Sequence, residues 1–320
     1  AWEIRDIPKD IIPNRTFFAV FHSISAFCNA GFSTLPENLY NPAIRPLYGF
    51  QCWIAVLIIL GGIGFPIVFN YGKLVNHKIQ NLYYRLRDSS KRMPSHVRIV
   101  NTTTRIVITT TFFLLAGGTL LFLFFENNNT LRDLPLRGKL AVSFLGAVTP
   151  RTAGFNNVAL DLLTTPTIAL TMFLMWIGAS PLSTGGGIKT TTFTIAIKNI
   201  FNTLKGKKNL EIFKRQLPQE NVRRAHAIII LSILWISLAT LLLTIFVPDS
   251  SLSKSLFEVI SALSTVGLSL DFTPDLTLAG KIIIILTMFV GRVGLITLLT
   301  GIVHQQNSQN YTFAEDNVIL

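Results

Sequence analysis

The chain has 320 residues, of which 50% are hydrophobic and only 14% charged, and its mean hydropathy is +0.50. A soluble domain of that composition would carry more apolar surface than one core can hide, so the chain reads as a membrane protein. The formal net charge of +12 would suit a nucleic-acid binder, but residues 73–105 hold eight Lys/Arg against one acid and residues 198–224 hold eight against two, both between apolar stretches. Cations clustered beside spans mark cytoplasmic loops, and no nucleic-acid partner is expected.

Residues 1–15 are polar and Pro-punctuated, begin at Ala1 and carry no signal peptide, and read as a cut edge. Residues 16–27 (TFFAVFHSISAF) are apolar but too short for a hydrocarbon core that needs ~20 helical residues, which predicts a re-entrant helix. A glycine element follows at Gly31, then a turn at Thr34-Leu35-Pro36. Residues 47–69 are predicted as a full span whose Gly61, Gly62 and Gly64 serve close helix packing. After the first basic loop, residues 106–125 form an uncharged span, and residues 126–137, balanced in charge, suit the outer side. A second short helix is predicted over 140–147. The span opening at Thr165-Pro166 is interrupted, because residues 168–177 are half long enough and GASPLSTGGGIKTTT (178–192) intervenes before apolar residues resume at Phe193. Beyond the second basic loop come a span over 227–247, an outer turn over 248–253 and a third short helix over 256–263. Pro274 closes the next turn, and a last span over 278–303 carries Arg292 near its middle. Residues 304–320 form a polar tail.

Three segments of this chain echo one another: SAFCNAGFS (25–33), VTPRTAGFN (148–156) and SALSTVGLS (261–269). Aligned on Gly31, Gly154 and Gly267, they stand 123 and 113 residues apart. The recurring unit is span, short re-entrant helix, glycine element, return span. Residues 76–201 and 202–303 make complete units, residues 1–75 make an incomplete one without its opening span, and 304–320 are the tail. The expected fold is therefore an all-α membrane protein of five spans and three re-entrant loops, with the re-entrant loops outside and the basic connectors inside. Non-helical backbone is tolerated in a bilayer only where it is buried or lines water, so three glycine elements at one depth imply a shared wet cavity. Carbonyls aimed at such a cavity can replace the hydration shell of a cation, and glycine reaches positive φ without blocking the lumen. The preceding short helix would aim its negative C-terminal end at the cation. The period puts a fourth glycine before Gly31, so a pseudo-fourfold pore with three units present is expected.

VTPRTAGF (148–155), STGGGIKTTT (183–192), GRVG (291–294) and residues 257–269 occur in the order found in a known family. On these motifs the chain resembles the membrane subunit of the Trk/Ktr/HKT potassium transporters, most like the bacterial Ktr type, built from potassium-channel-like units. The resemblance implies potassium uptake through the plasma membrane. It implies a filter on the backbone of Cys28, Asn29, Ala30 and Gly31, of Arg151, Thr152, Ala153 and Gly154, and of Ser264, Thr265, Val266 and Gly267. It implies a gating loop over 183–192, containing Gly185, Gly186 and Gly187, with Arg292 facing the cavity beside it. It further implies a homodimer on a cytosolic ring of nucleotide-binding regulatory subunits, docked through the basic loops and the tail. The transported potassium ion would be the only metal, held at the filter, with no covalent cofactor and the nucleotide on the partner. None of the segments is the TVGYG of tetrameric potassium channels, and Leu268 replaces the Phe that follows the other two glycines.

Gly185-Gly186-Gly187-Ile188-Lys189 is not a phosphate loop, since Ile188 separates the glycines from Lys189. Lys189 fits either a gate or an anchor. Arg151, close to a cation filter, is expected to act as a brace pairing with a carboxylate such as Glu258 or Asp271. His22, Leu145 and Glu258 stand nine residues before their glycines, and Glu258 fits both cation attraction and fixing of its helix. Cys28 reads as a small filler. No HExxH or GxSxG motif and no metal-ligand spacing occurs, so an enzyme is not expected. Two other classes remain open: an alternating-access secondary cation transporter, which also uses broken helices, and a non-transporting membrane scaffold.

Overall fold

A computed structural model describes residues 7–8, 10–87, 101–207, 209–248, 250–294 and 297. Its helices are α1 (Arg15–Phe27), α2 (Tyr48–Ile63), α3 (Phe65–Arg87), α4 (Thr102–Glu126), α5 (Leu136–Val148), α6 (Thr165–Trp176), α7 (Thr190–Leu204), α8 (Gln219–Phe246), α9 (Leu252–Leu263) and α10 (Leu278–Val293). One succession recurs three times along the chain: a short helix (α1, α5, α9), a loop with a positive-φ glycine, a 3-10 turn (Asn38–Tyr40, Leu160–Leu162, Thr273–Asp275) and an apolar helix (α2, α6, α10).

Only α4 and α8 are long and apolar enough, among the described residues, to cross a membrane unbroken. At about 1.5 Å per residue, the 25 residues of α4 exceed a hydrocarbon core of ~30 Å. Phe112, Phe113, Leu120 and Phe124 on α4, and Ile230, Leu234, Leu238 and Leu241 on α8, are exposed, as a surface meeting lipid requires. Two of the short helices begin at side-chain caps, Asn14 accepting from the Phe17 amide and Ser251 from the Lys254 amide, whereas α5 starts after Pro135.

The expectation of an uninterrupted return span over 47–69 is corrected, and of the span over 278–303 the helix closes at Gly294, residues 295–296 and 298–303 lying outside the described residues. α2 ends at Gly64, with φ 94°, and the chain bends by 96° into α3. α10 ends at Gly294, with φ 91°, so Arg292 lies in the last turn of a helix rather than at the centre of a span. The cause is local: L side chains are disfavoured at such φ values, and glycine permits the break. Gly61 and Gly291, each three residues earlier, do pack closely, because an added Cβ would meet the carbonyl oxygen of Phe27 or Leu263, the last residue of a short helix.

Packing is unequal among the short helices. α5 lies against α4 and α2, and α9 against α8, α10 and α6, whereas α1 lies chiefly against α2. Phe17, Val20, Ile24 and Phe27 consequently form an exposed stripe on α1. One core joins α4 to α6 and α8 to α10 around Phe122, Leu243 and Phe257; a second joins α1, α2 and α5 around Phe18, Ile54 and Phe155. The basic connectors are more ordered than loops: α3 runs through Lys73 to Arg87, and Glu211–Ile212 pairs with Arg215–Gln216 as a small hairpin. Its turn residues, Phe213 and Lys214, take φ of 51° and 61° without the Asn-Gly that would announce such a turn. The tail over 304–320 lies outside the described residues.

Candidate functional site

The three glycine loops share one backbone. φ is positive at the glycine (70° at Gly31, 77° at Gly154, 86° at Gly267) and again two residues earlier (52° at Asn29, 74° at Thr152, 54° at Thr265). Each loop unwinds directly from a short helix. The Ala30 amide bonds Ser25 O at 2.8 Å and the Val266 amide bonds Ser261 O at 2.9 Å, while Ala153 and Gly154 both bond Thr149 O. Hydroxyls then brace the residue after the glycine: Ser25 donates to Phe32 O at 2.8 Å and Thr149 to Phe155 O at 2.7 Å.

The loops meet heel to toe. A Cβ on Gly31 would collide with the carbonyl oxygen of Ala153, and one on Gly154 with the carbonyl oxygen of Val266. The residue before one glycine therefore aims its carbonyl at the glycine of the preceding succession. Gly267 faces open space, beside a cavity of about 480 Å³ lined by Ala30, Gly31, Glu258, Thr265, Gly267 and Met288. One layer in from the glycines, the Asn29 amide and the Thr152 hydroxyl are hydrogen-bonded at 3.1 Å in either orientation of the amide.

The interruption between α6 and α7 folds against these same residues. Ile177 and Ile188 form a parallel bridge, and the Ala179 amide bonds Gly186 O at 3.3 Å. A Cβ on Gly185 would strike the Thr152 side chain, one on Gly186 the Thr265 side chain, and one on Gly187 would crowd Gly178 and Ser264. Glycine is needed at all three because the loop is pressed onto two of the glycine elements. It also bonds the break in the first return helix, where the Ser180 amide reaches Gly62 O at 3.0 Å. Two cations hold its carbonyls: Lys189 Nζ donates to Gly185 O at 2.7 Å and Arg292 Nη1 to Thr184 O at 3.0 Å. Lys189 and Arg292 thus each bond a backbone carbonyl of the loop.

Arg151 departs from expectation. It is 7% exposed and finds no carboxylate; its Nη2 bonds Gly178 O at 3.5 Å. Glu258 and Asp271 belong to the third succession, whereas Arg151 points away from the glycine ring into the seam between α2 and α4. Its counterparts three residues before the other glycines are Cys28, which is exposed, and Ser264.

His22, Leu145 and Glu258 are all buried. His22 bonds Phe18 O and the Ser33 hydroxyl, both at 2.9 Å, and Glu258 Oε1 accepts from Thr273 at 2.5 Å. His22 and Glu258 each tie a short helix to the segment beyond its glycine, and Leu145 packs in the same core as Phe155. The bond from Thr273 fixes the helix, and Glu258 is among the residues that line the cavity beside Gly267.

The sequence reading passed over Glu126. This carboxylate is 0% exposed and accepts from the hydroxyls of Thr130, Thr164 and Thr167 and from the Thr164 amide at 2.9 Å, at the start of α6. An anion there complements the positive end of the helix that leads into the glycine-rich loop. Thr164 and Thr167 are distant in sequence, and Thr165-Pro166 alone announced only the start of a span. Among the described residues, no group of His, Cys, Asp and Glu is arranged to hold a metal.

These features define a class: a multi-pass helical membrane protein in which broken helices converge on glycine loops. The family model described as TrkH, cation transport protein, matches residues 9–312, and the chain belongs to that family, whose members are transporters rather than enzymes. It is 36% identical over 305 residues to the Ktr system potassium uptake protein B of Bacillus subtilis, covering 95% of this chain and 64% of that protein. It is also 36% identical to the potassium/sodium uptake protein NtpJ of Enterococcus hirae, again covering 95% and 64%. The crystal structure of the potassium transporter TrkH from Vibrio parahaemolyticus superposes with a TM-score of 0.69 at 20% identity, over 90% of this chain and 58% of that one, which shows a shared fold. The chain thus spans somewhat less than two thirds of the length of these relatives.

Proposed function

We propose that the chain forms the pore of a potassium uptake system, in which a partly dehydrated ion crosses a ring of backbone carbonyls and then passes the loop over 183–192. The observation that carries this reading is the repeated pair of positive-φ residues ending in a glycine, with carbonyls running from one loop to the next glycine. Such a backbone presents oxygens where a cation loses water, at no cost in side-chain bulk. The filter residues are Cys28 to Gly31, Arg151 to Gly154 and Ser264 to Gly267, as the resemblance implies. The ring is open between Gly267 and Ala30, and a fourth unit of the same build is proposed to close it, covering the exposed stripe on α1.

The gate is the glycine-rich loop, with Lys189 and Arg292 holding it against Thr152 and Thr265. Two relatives have potassium uptake in their names, one of them together with sodium, and this supports a monovalent cation as cargo. A homodimer on a cytosolic nucleotide-binding ring completes the proposal, with the connectors around α3 and the hairpin over 211–216 as the docking surface. The test is rubidium against sodium flux through the full-length protein in liposomes, with and without the cytosolic partner. Rubidium flux that exceeds sodium flux and responds to the partner supports the reading. Absence of any cation flux, or solute exchange with slow, saturable alternation, would reject a pore.

A further inference from the structure

The residues three positions before the glycines have unequal side chains, and the space behind them differs accordingly. Arg151 fills the seam between α2 and α4 so well that a cavity of only about 10 Å³ remains beside Ile58, Gly62, Thr111 and Leu115. At the corresponding seam, between α6 and α8, the small Ser264 leaves a cavity of about 160 Å³. Its walls are Trp176, Ile188, Ile228, Leu263 and Val290, with Lys189 at one side. Walls of that composition favour an apolar occupant over water, because such an occupant supplies dispersion contacts to the lining.

A second cavity, of about 290 Å³, adjoins it at Thr192 and Ile228, which line both, and reaches Thr102, Thr103, Asn221 and Arg224. From Asn221 to Ser232 the crevice follows α8 for about 16 Å, at about 1.5 Å per residue. Its inner end is apolar and its mouth is polar and cationic. Thr102 and Thr103 stand in the first turn of α4, whose start has no side-chain cap, so their amides and hydroxyls are donors for an anion beside Arg224; the Asn221 amide is bound to Pro218 O, and that residue offers its side chain. Glu220 faces Arg224 as its ion-pair partner, but residues 198–224 as a whole hold eight cations against two acids. Placed by its charge, this mouth lies at the cytosolic leaflet.

We propose that the crevice holds one acyl chain of an anionic phospholipid of the cytosolic leaflet, with its phosphate at Thr102, Thr103, Asn221 and Arg224. The chain lies against Trp176, Ile228 and Val290 and ends behind Ser264 and Gly187. The lipid does for the third glycine loop what the Arg151 side chain does for the second: it fills the seam and backs the loop.

The test is retention of phosphatidylglycerol against phosphatidylcholine of matched chains by the purified full-length protein, read by native mass spectrometry. Because lipid is counted without ion flux, this outcome is separate from that of the pore reading. Phosphatidylglycerol is expected to be retained over phosphatidylcholine by about tenfold, as one or two charge-assisted hydrogen bonds provide. Ile228→Trp fills the crevice and should abolish retention, with elution volume and helicity unchanged. Thr192→Leu, which narrows the junction of the two cavities, supplies the same test where the larger side chain prevents folding. Arg224→Gln should keep a lipid but lose the headgroup preference. Equal retention of phosphatidylglycerol by wild type and both filling variants, or no preference between headgroups in wild type, would overturn the proposal. Displacement of the lipid by inorganic phosphate would also overturn it, since the acyl chain is the principal anchor.

Discussion

Lys189→Met removes the ammonium that holds Gly185 O at 2.7 Å while keeping most of the side chain's volume. A hydrogen bond to a charged group contributes about 1.5–3 kcal/mol, and the lower value applies to a side chain that retains some exposure. At 1.4 kcal/mol per factor of ten, the seated loop becomes about tenfold less favoured against alternatives away from Thr152 and Thr265. If that loop limits passage, the initial rate of rubidium entry into liposomes, per molecule of full-length protein and without the cytosolic partner, rises toward tenfold. Lys198→Met, an exposed cation on α7, should leave the rate unchanged and controls for the loss of charge. A Lys189→Met rate within about twofold of wild type, with equal reconstitution, would mean that the Lys189 contact does not govern the barrier, and would remove the loop from the gating mechanism.

Arg292→Gln should act in the same direction but weakly, by about twofold in rubidium flux, since its guanidinium is exposed and screened. Gly154→Ser and Gly267→Ser both impose positive φ on a side chain, at about 1–2 kcal/mol, but only Gly154 also meets a carbonyl. Gly154→Ser is therefore expected to lower the yield of folded protein, whereas Gly267→Ser should fold and lose about tenfold of its preference for rubidium over sodium, measured as a flux ratio. Glu126→Ala strands several buried donors and should cost about 3 kcal/mol, visible as a lower thermal midpoint in detergent, with Glu126→Gln retaining part of the loss.

The features legible in the sequence were those with a period or a length. The short helices, the three glycines and the apolar spans of α4 and α8 follow from counting apolar residues, although α8 begins at Gln219, eight residues before the expected start, because its first two turns are charged. The bend at Gly64 was not legible, because apolar residues continue on both sides and hydropathy does not register a change of direction. Gly61 and Gly64 were assigned to packing alone, although one packs and the other turns the chain. Arg151 was given a carboxylate partner from charge logic, but its position three residues before the glycine sends it outward, where a carbonyl and a seam receive it. Glu126 depends on donors about 40 residues away, and no local pattern signals contacts of that kind.

The loop between α6 and α7 touches the break after α2, the residues before Gly154 and Gly267, and the last turn of α10. The first succession passes from α2 to α3 through Gly64 alone, whereas the second carries this longer loop. An element that meets all three successions cannot recur in each of them, since every copy would need the same space. A substitution at Gly185, Gly186 or Gly187 is therefore felt at Gly62, Thr152, Thr265 and Arg292 together.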